Sequence, residues 1–120
     1  MSQDGVRRDA PVAGVEERDG AVVVRLAGEL DLYNADRVRE PLLDAAARDV
    51  DRLIVDLSEL SFIDSTGLGV LIEARGRMAN RRAFMLVAPN VETRRALEIS
   101  GLDQHFAVHA SLDEALAAAL

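Results

Sequence analysis

Two adjacent hydroxyl side chains, in the stretch Asp64-Ser65-Thr66-Gly67, are the residues of this sequence best placed to do chemistry. They stand where an apolar run typical of a strand gives way to apolar residues at helical spacing. Asp, Ser or Thr at such a junction can cap the helix, because a side-chain oxygen accepts hydrogen bonds from free backbone amides. Alternatively, a serine here can accept a phosphate, which the free amides and partial positive charge of a helix N-terminus tolerate. Taken alone, the stretch favours capping.

A phosphate at this junction would change its charge sharply. It would add about −1.5 to −2 charges at neutral pH, next to Asp64 and, if the fold brings it near, Asp31. Gly67 and Gly69 are predicted to allow close approach of helix and sheet. The sequence therefore predicts a surface whose charge can change while the fold persists.

Two other chemistries are poorly supported. A nucleophilic serine with a histidine base would suit a hydrolase, but Ser65 lacks the Gly-x-Ser-x-Gly elbow, and neither His105 nor His109 is tied to it by sequence. Asp56 resembles the acceptor aspartate at a strand end of a receiver domain. That chemistry needs a lysine and an acidic pair after the first strand. All 14 basic residues are Arg, so Asp56 is interpreted as an ordinary polar strand-end residue.

Other motifs that bind ligands are absent or weak. There is no cysteine and there are only two histidines, so we expect no metal site. No glycine-rich phosphate loop is present, and Gly67-Leu68-Gly69 alone does not indicate a nucleotide. A local basic patch is interpreted as a solvated helix end, with contact to an acidic partner as the alternative; it comprises Arg75, Arg77, Arg81 and Arg82.

The elements that must position the junction alternate along the chain. β-branched and apolar runs predict strands at residues 11–17, 21–27, 52–57, 83–88 and 106–108, with an Asp19-Gly20 hairpin turn. Helical patterns begin at Asn34, at Ser65 or Thr66, after an Asn90 cap and after a Ser111 cap. Their apolar positions include Ile72 and Ala79 in the second helix and Ala119 in the last. Pro41 predicts a kink or break near residues 37–40.

This order predicts an α/β fold with a mostly parallel sheet of four to five strands, an antiparallel N-terminal hairpin strand and about four helices. Residues 1–10 are unpatterned and are predicted to form a flexible tail, with one domain at 11–120. Functional sites in such sheets gather at the carboxyl ends of strands. Asp31 and Asp64-Ser65 both follow strands, so we expect them at the same edge.

Composition restricts the possible partners. The hydrophobic content of 49% supports a folded core, and a net charge of −7 argues against nucleic-acid binding. No apolar run is long enough to span a membrane and no signal peptide is recognisable, which predicts a soluble, cytoplasmic protein. We expect a monomer or weak dimer that meets protein partners.

The chain resembles the STAS-domain family, specifically bacterial anti-sigma factor antagonists, through three segments. One ends in Gly28-Glu29-Leu30-Asp31, and the second runs from Val55 through Asp64-Ser65-Thr66-Gly67-Leu68-Gly69 to Leu71. The third is Ile99-Ser100-Gly101-Leu102. The resemblance covers nearly the whole chain, residues 12–120, and implies the STAS fold.

The resemblance also implies a function. In that family a partner that is both anti-sigma factor and serine kinase phosphorylates the serine after the aspartate, which is Ser65 here; Thr66 is the less favoured acceptor. The unphosphorylated form binds the kinase and frees a sigma factor, phosphorylation ends binding, and a metal-dependent serine phosphatase restores it. This chain would then be a switch in transcription regulation, not an enzyme. It would need no cofactor, since ATP and magnesium belong to the kinase.

The resemblance further implies a set of partner-binding residues. Asp31 would contact the partner or organise the acceptor loop, and Ser65 could cap its helix and still accept the phosphate. The full implied set is Asp31, Asp64, Ser65, Thr66, Gly67 and Leu68. A scaffold of the same fold that is never phosphorylated, and a serine hydrolase, stay open as alternatives.

Overall fold

The computed structural model describes residues 11–120, and the predicted tail at residues 1–10 lies outside the described residues. Five strands form one sheet in the order β1-β2-β3-β4-β5, with β1 antiparallel to β2 and the other neighbours parallel. The strands are β1 (Val12–Arg18), β2 (Ala21–Leu30), β3 (Arg52–Ile63), β4 (Phe84–Val87) and β5 (Ala107–His109). The predicted mixed α/β architecture is confirmed.

Four helices join or follow the parallel strands, as the sequence predicted. They are α1 (Ala35–Ala46), α2 (Ser65–Arg77), α3 (Val91–Ser100) and α4 (Leu112–Ala117), with short 3-10 turns at Arg81–Ala83 and Leu102–Gln104. The Asp-Gly hairpin turn is also confirmed, with positive φ at both Asp19 and Gly20. The last two helices start at the predicted caps, although Asn90 makes no cap hydrogen bond.

The two faces of the sheet are buried by different helices. One face packs against α1, α2 and α3, which contribute Leu42, Leu71 and Leu97 to the main core. The other face carries Val23 and Ile54 under α4. Consecutive parallel strands joined by right-handed crossovers put the connecting helices on one face, which leaves α4 to cover the other.

Two strands are longer than the sequence predicted. β2 continues to Leu30 and β3 to Ile63, whereas the apolar runs ended at residues 27 and 57. The pairing shifts register between Arg25 and Ala27 and again between Gly28 and Glu29, so strict alternation is lost. Gly28 takes φ +79 at this irregularity, a conformation that favours glycine. The extended ribbon of β2 and β3 carries the candidate site beyond the end of β4.

The predicted break at Pro41 is wrong, because α1 is continuous from Ala35 to Ala46. Because proline has no amide hydrogen, only the carbonyl of Arg37 loses its helical hydrogen bond, and Arg37 is exposed, so water can replace that bond.

The ends of two other helices also differ from the prediction. α2 ends at Arg77 and α4 at Ala117, so Ala79 and Ala119 lie beyond them. Ile72, predicted on the apolar side of α2, is 47% exposed.

Candidate phosphorylation site

The ends of β2 and β3 bring the two motif aspartates to one edge of the sheet, as predicted. Leu30 pairs with Ile63 as the last residue of each strand. The backbone amide of Asp64 then donates to the carbonyl oxygen of Leu30 at 3.1 Å. Asp31 and Asp64 therefore begin the two segments that leave the sheet side by side.

The carboxylate of Asp64 joins these two segments. Its Oδ1 accepts a hydrogen bond from the amide of Gly67 at 2.9 Å, which caps α2. Its Oδ2 accepts one from the amide of Leu32 at 3.0 Å, which fixes the loop after β2. The residue that caps the helix is thus Asp64, one of the three candidates that the sequence left open, and not Ser65. An aspartate also suits this position because its charge complements the helix dipole.

Asp31 organises the turn that follows β2. Its Oδ1 accepts a hydrogen bond from the amide of Tyr33 at 2.9 Å, and its own amide donates to Oδ1 of Asn34 at 2.9 Å. Asn34 is only 6% exposed, and its side-chain amide donates to the carbonyl of Glu29 at 2.7 Å. The sequence pattern indicated Asn34 only as the start of a helix. The Asx turn from Asp31 to Tyr33 is a local pattern that could have indicated the turn, but it does not indicate the contacts of Asn34.

Ser65 and Thr66 are the first two residues of α2, and both are exposed. Among residues 11–120, neither hydroxyl makes a hydrogen bond to another residue, and the backbone amides of Ser65 and Thr66 have no acceptor there. Two free amides at a helix start can donate to a phosphate oxygen. The site therefore combines an accessible hydroxyl with donors that suit its phosphorylated form.

Gly67 and Leu68 have packing roles. A Cβ on Gly67 would lie 2.7 Å from Cγ of Leu30 and 2.9 Å from Cγ1 of Ile63, so the predicted close approach is confirmed there. The same prediction is wrong for Gly69, where a Cβ would meet nothing within 4 Å. Leu68 is 8% exposed and belongs to the core. Partner contact by Gly67 and Leu68 stays a prediction from the resemblance.

Beyond Asp56, β3 pairs with β2 on one side only, and α3 covers its other side. The side-chain amide of Asn90 donates to the carbonyl of Ser58 at 2.9 Å, and the buried Thr93 hydroxyl lies 3.5 Å from the carbonyl of Leu60. Asp56 accepts hydrogen bonds from the amide and the hydroxyl of Ser58. Asp56 lies within β3 and not near its end, which corrects the sequence interpretation.

The histidines lie away from this arrangement. His109 ends β5, where it pairs with Val87, and His105 is exposed after a 3-10 turn. Within the described part of the chain, neither ring is hydrogen-bonded to Ser65. Within residues 11–120, neither histidine is therefore positioned as a general base for Ser65, and the histidine-based hydrolase gains no support from this geometry.

Comparison with known proteins decides the family, because the model of the STAS domain matches residues 13–115. This chain belongs to the STAS domain family. The anti-sigma-F factor antagonist RsfB of Mycobacterium tuberculosis is 31% identical over 108 residues, which cover 90% of this chain and 88% of that protein. The relatives of this chain therefore include anti-sigma factor antagonists, and this STAS protein is an anti-sigma factor antagonist.

Solved structures of STAS proteins agree. The crystal structure of an anti-sigma factor antagonist from Mycobacterium paratuberculosis matches with a TM-score of 0.81 and 33% identity, over 86% of this chain and 88% of that one. The Bacillus cell fate determinant SpoIIAA in its phosphorylated form matches with a TM-score of 0.63 and 27% identity, over 86% and 95% of the two chains. The STAS fold is thus found in a protein that carries a phosphate.

The helices of residues 11–120 are too short or too polar for any of them to cross a lipid bilayer.

Proposed function

We propose that this antagonist is switched by phosphorylation of Ser65. The unphosphorylated form binds an anti-sigma factor that is also a serine kinase, and a sigma factor is released. Transfer of a phosphate to Ser65 ends binding, and a serine phosphatase restores it. The observation that carries this proposal is the exposed Ser65 hydroxyl, which makes no hydrogen bond to any other of the described residues 11–120, on a helix start that Asp64 holds in place.

Charge is the physical basis of the switch. A phosphate on Ser65 would place about two negative charges beside the carboxylate of Asp64 and on the same edge as Asp31. A partner surface fitted to a neutral hydroxyl would then face unmatched charge. A mismatch of about 2 to 3 kcal/mol would weaken binding by roughly 30- to 150-fold. In this scheme the protein is a substrate and a binding partner in the cytoplasm, not an enzyme.

The acceptor assignment is tested with the purified anti-sigma factor serine kinase of the same organism and ATP. We expect mass spectrometry to place the phosphate on Ser65 in the unmodified protein. Ser65→Ala should take none, while Thr66→Ala should be phosphorylated normally. A phosphate mapped to Thr66 or elsewhere would contradict the assignment.

Binding to the same kinase tests the switch itself. Ser65→Ala should bind like the unmodified protein, because the hydroxyl makes no hydrogen bond to the rest of residues 11–120, whereas Ser65→Asp should bind at least tenfold more weakly. Equal affinity of these two variants would favour the scaffold that is never phosphorylated.

A further inference from the structure

The turn between β2 and α1 holds two apolar side chains in solvent. Leu32 is 66% exposed and Tyr33 is 91% exposed, although they lie only two and three residues after the fully buried strand residue Leu30. Exposed apolar side chains that come singly are common and need no explanation. Leu32 and Tyr33 are different, because they are adjacent and the turn directs both side chains away from the core. Packing within the domain does not explain why two apolar residues stand there.

The backbone of this turn is fixed at every residue. The amides of residues 31–34 all donate hydrogen bonds of 2.9 to 3.2 Å, to Asn34 Oδ1, Asp64 Oδ2, Asp31 Oδ1 and the Asp31 carbonyl in that order. The two side chains therefore project from a fixed support. A rigid support lowers the entropy lost when a partner orders the side chains it contacts.

The turn is adjacent to the phosphate acceptor. The amide of Leu32 is bonded directly to the carboxylate of Asp64, the residue that precedes Ser65. A kinase that surrounds the Ser65 hydroxyl with its ATP and catalytic groups must therefore also cover the surface next to Asp64. The surroundings of the turn are acidic, because Asp31 and Asp64 lie beside it. The complementary surface of the kinase would therefore be an apolar pocket for Leu32 and Tyr33, surrounded by basic residues.

We propose that Leu32 and Tyr33 are the anchor side chains by which the anti-sigma factor serine kinase recognises this antagonist. This inference rests on the proposed function and adds which contacts select the partner. Tyrosine is enriched among the few residues that dominate the binding energy of an interface, so Tyr33 is the main anchor and Leu32 adds apolar contact beside it. Ser65 then carries the on–off state, and the two anchors carry affinity and partner choice.

Binding of the purified kinase to Leu32→Ala, Tyr33→Ala and the double variant tests this inference by calorimetry. We expect Kd to rise about tenfold or more for Tyr33→Ala and further for the double variant. The matched control is Ile99→Ala, which truncates an apolar side chain that is 81% exposed at the end of α3 remote from the Asn90 contact. Ile99→Ala should change Kd by less than about twofold.

Kinetics separate recognition from damage to the acceptor. Loss of an anchor should raise the KM for phosphorylation of Ser65 while kcat at saturating antagonist stays unchanged, because the reacting hydroxyl is not displaced. Tyr33→Phe should keep near-normal affinity, since the ring is the anchor. Urea unfolding of each variant identifies any loss of folded protein. A Tyr33→Phe variant as weak as Tyr33→Ala would overturn the apolar-anchor model.

The two proposals fail in different ways. If the unmodified protein binds the kinase and is phosphorylated, but the double variant matches it in Kd and KM, only the anchor inference is wrong. If the unmodified protein neither binds the kinase nor accepts phosphate, the proposed function is wrong and the anchors have no partner to select.

Discussion

Asp64 and Ser65 are adjacent in the chain but have opposite structural roles: the Asp64 side chain is hydrogen-bonded to the backbone, and the Ser65 side chain is not. The Asp64 carboxylate accepts two backbone hydrogen bonds, from Gly67 in α2 and from Leu32 in the turn after β2. The Ser65 hydroxyl accepts and donates none among residues 11–120. Stability therefore depends on the aspartate, whereas the serine is free to change its chemical state.

Substitutions of Asp64 and Ser65 should therefore differ in their effect on the free energy of unfolding. Asp64→Ala removes a helix cap and should lower the free energy of unfolding by about 1 to 2 kcal/mol. Asp64→Asn should lower it less, because one acceptor oxygen remains. Ser65→Ala should stay within about 0.5 kcal/mol of the unmodified protein. Urea denaturation measures all three, and a Ser65→Ala loss as large as that of Asp64→Ala would contradict this division.

Two glycines of α2 give a second matched pair. Gly67→Ala should destabilise by about 1 to 3 kcal/mol, because its Cβ would overlap Leu30 and Ile63. Gly69→Ala has open space and should stabilise by about 0.5 to 1 kcal/mol, since alanine loses less entropy in a helix. Thermal unfolding gives the sign of each change, and shifts of the same sign would refute the close packing of Gly67.

At the scale of elements, α1 and α2 are joined by an ion pair. The guanidinium of Arg39 donates to both carboxylate oxygens of Glu73, from Nε at 2.8 Å and from Nη2 at 2.5 Å. The Arg39 hydrogen bond and charge hold the pKa of the Glu73 carboxyl below its usual value, with a smaller contribution from Arg77. The same pairing raises the pKa of Arg39. Because α2 begins at Ser65, this pair helps to fix the helix that carries the proposed phosphate acceptor.

This ion pair predicts a pH dependence. A carboxyl whose pKa is lowered by folding contributes stability above its unfolded pKa of about 4.3, and that contribution is lost as pH falls through the lower folded value. Glu73→Gln should therefore be less stable than the unmodified protein near pH 7, and the two should converge in acid. The effect is small and weakens with salt, because Arg39 is exposed and Glu73 is partly exposed to solvent.

Urea unfolding from pH 3 to pH 7 checks this prediction. Glu98→Gln is the control, since Glu98 is exposed and makes no ion pair in the described part of the chain. A constant difference between Glu73→Gln and the unmodified protein across this range would show that the pair contributes nothing through its charge.

For the whole molecule, the proposed modification adds charge to a protein whose net charge is already −7. The phosphate would sit at an edge of the sheet, outside the core, and next to two free amides. We therefore expect phosphorylated and unmodified proteins to differ by less than about 1 kcal/mol in unfolding free energy, while their affinities for the kinase differ by more than tenfold. Calorimetric unfolding of both forms measures the first quantity. A phosphorylated form destabilised by more than about 2 kcal/mol would indicate a switch that works by unfolding.

The sequence predicted the element order, the parallel sheet and the shared edge of Asp31 and Asp64, because periodicity and turn residues are local properties. It did not predict the ends of β2 and β3, since the register shifts near Gly28 depend on a partner strand. It could not choose the cap among Asp64, Ser65 and Thr66, because all three side chains can accept from an amide. The roles of Asn34, Leu32 and Tyr33 also depend on the tertiary position of the turn.

The different structural roles of Asp64 and Ser65 also affect how this protein can evolve. If the proposed switch is right, a single mutation of the Ser65 codon would abolish regulation and leave a folded, constitutively binding protein, because no hydrogen bond within residues 11–120 uses the Ser65 hydroxyl. Loss of Asp64 would instead reduce fold and regulation together. Under the proposed function, a duplicated copy of the gene would become a permanent activator in one step, and selection could act on Ser65 without altering the fold.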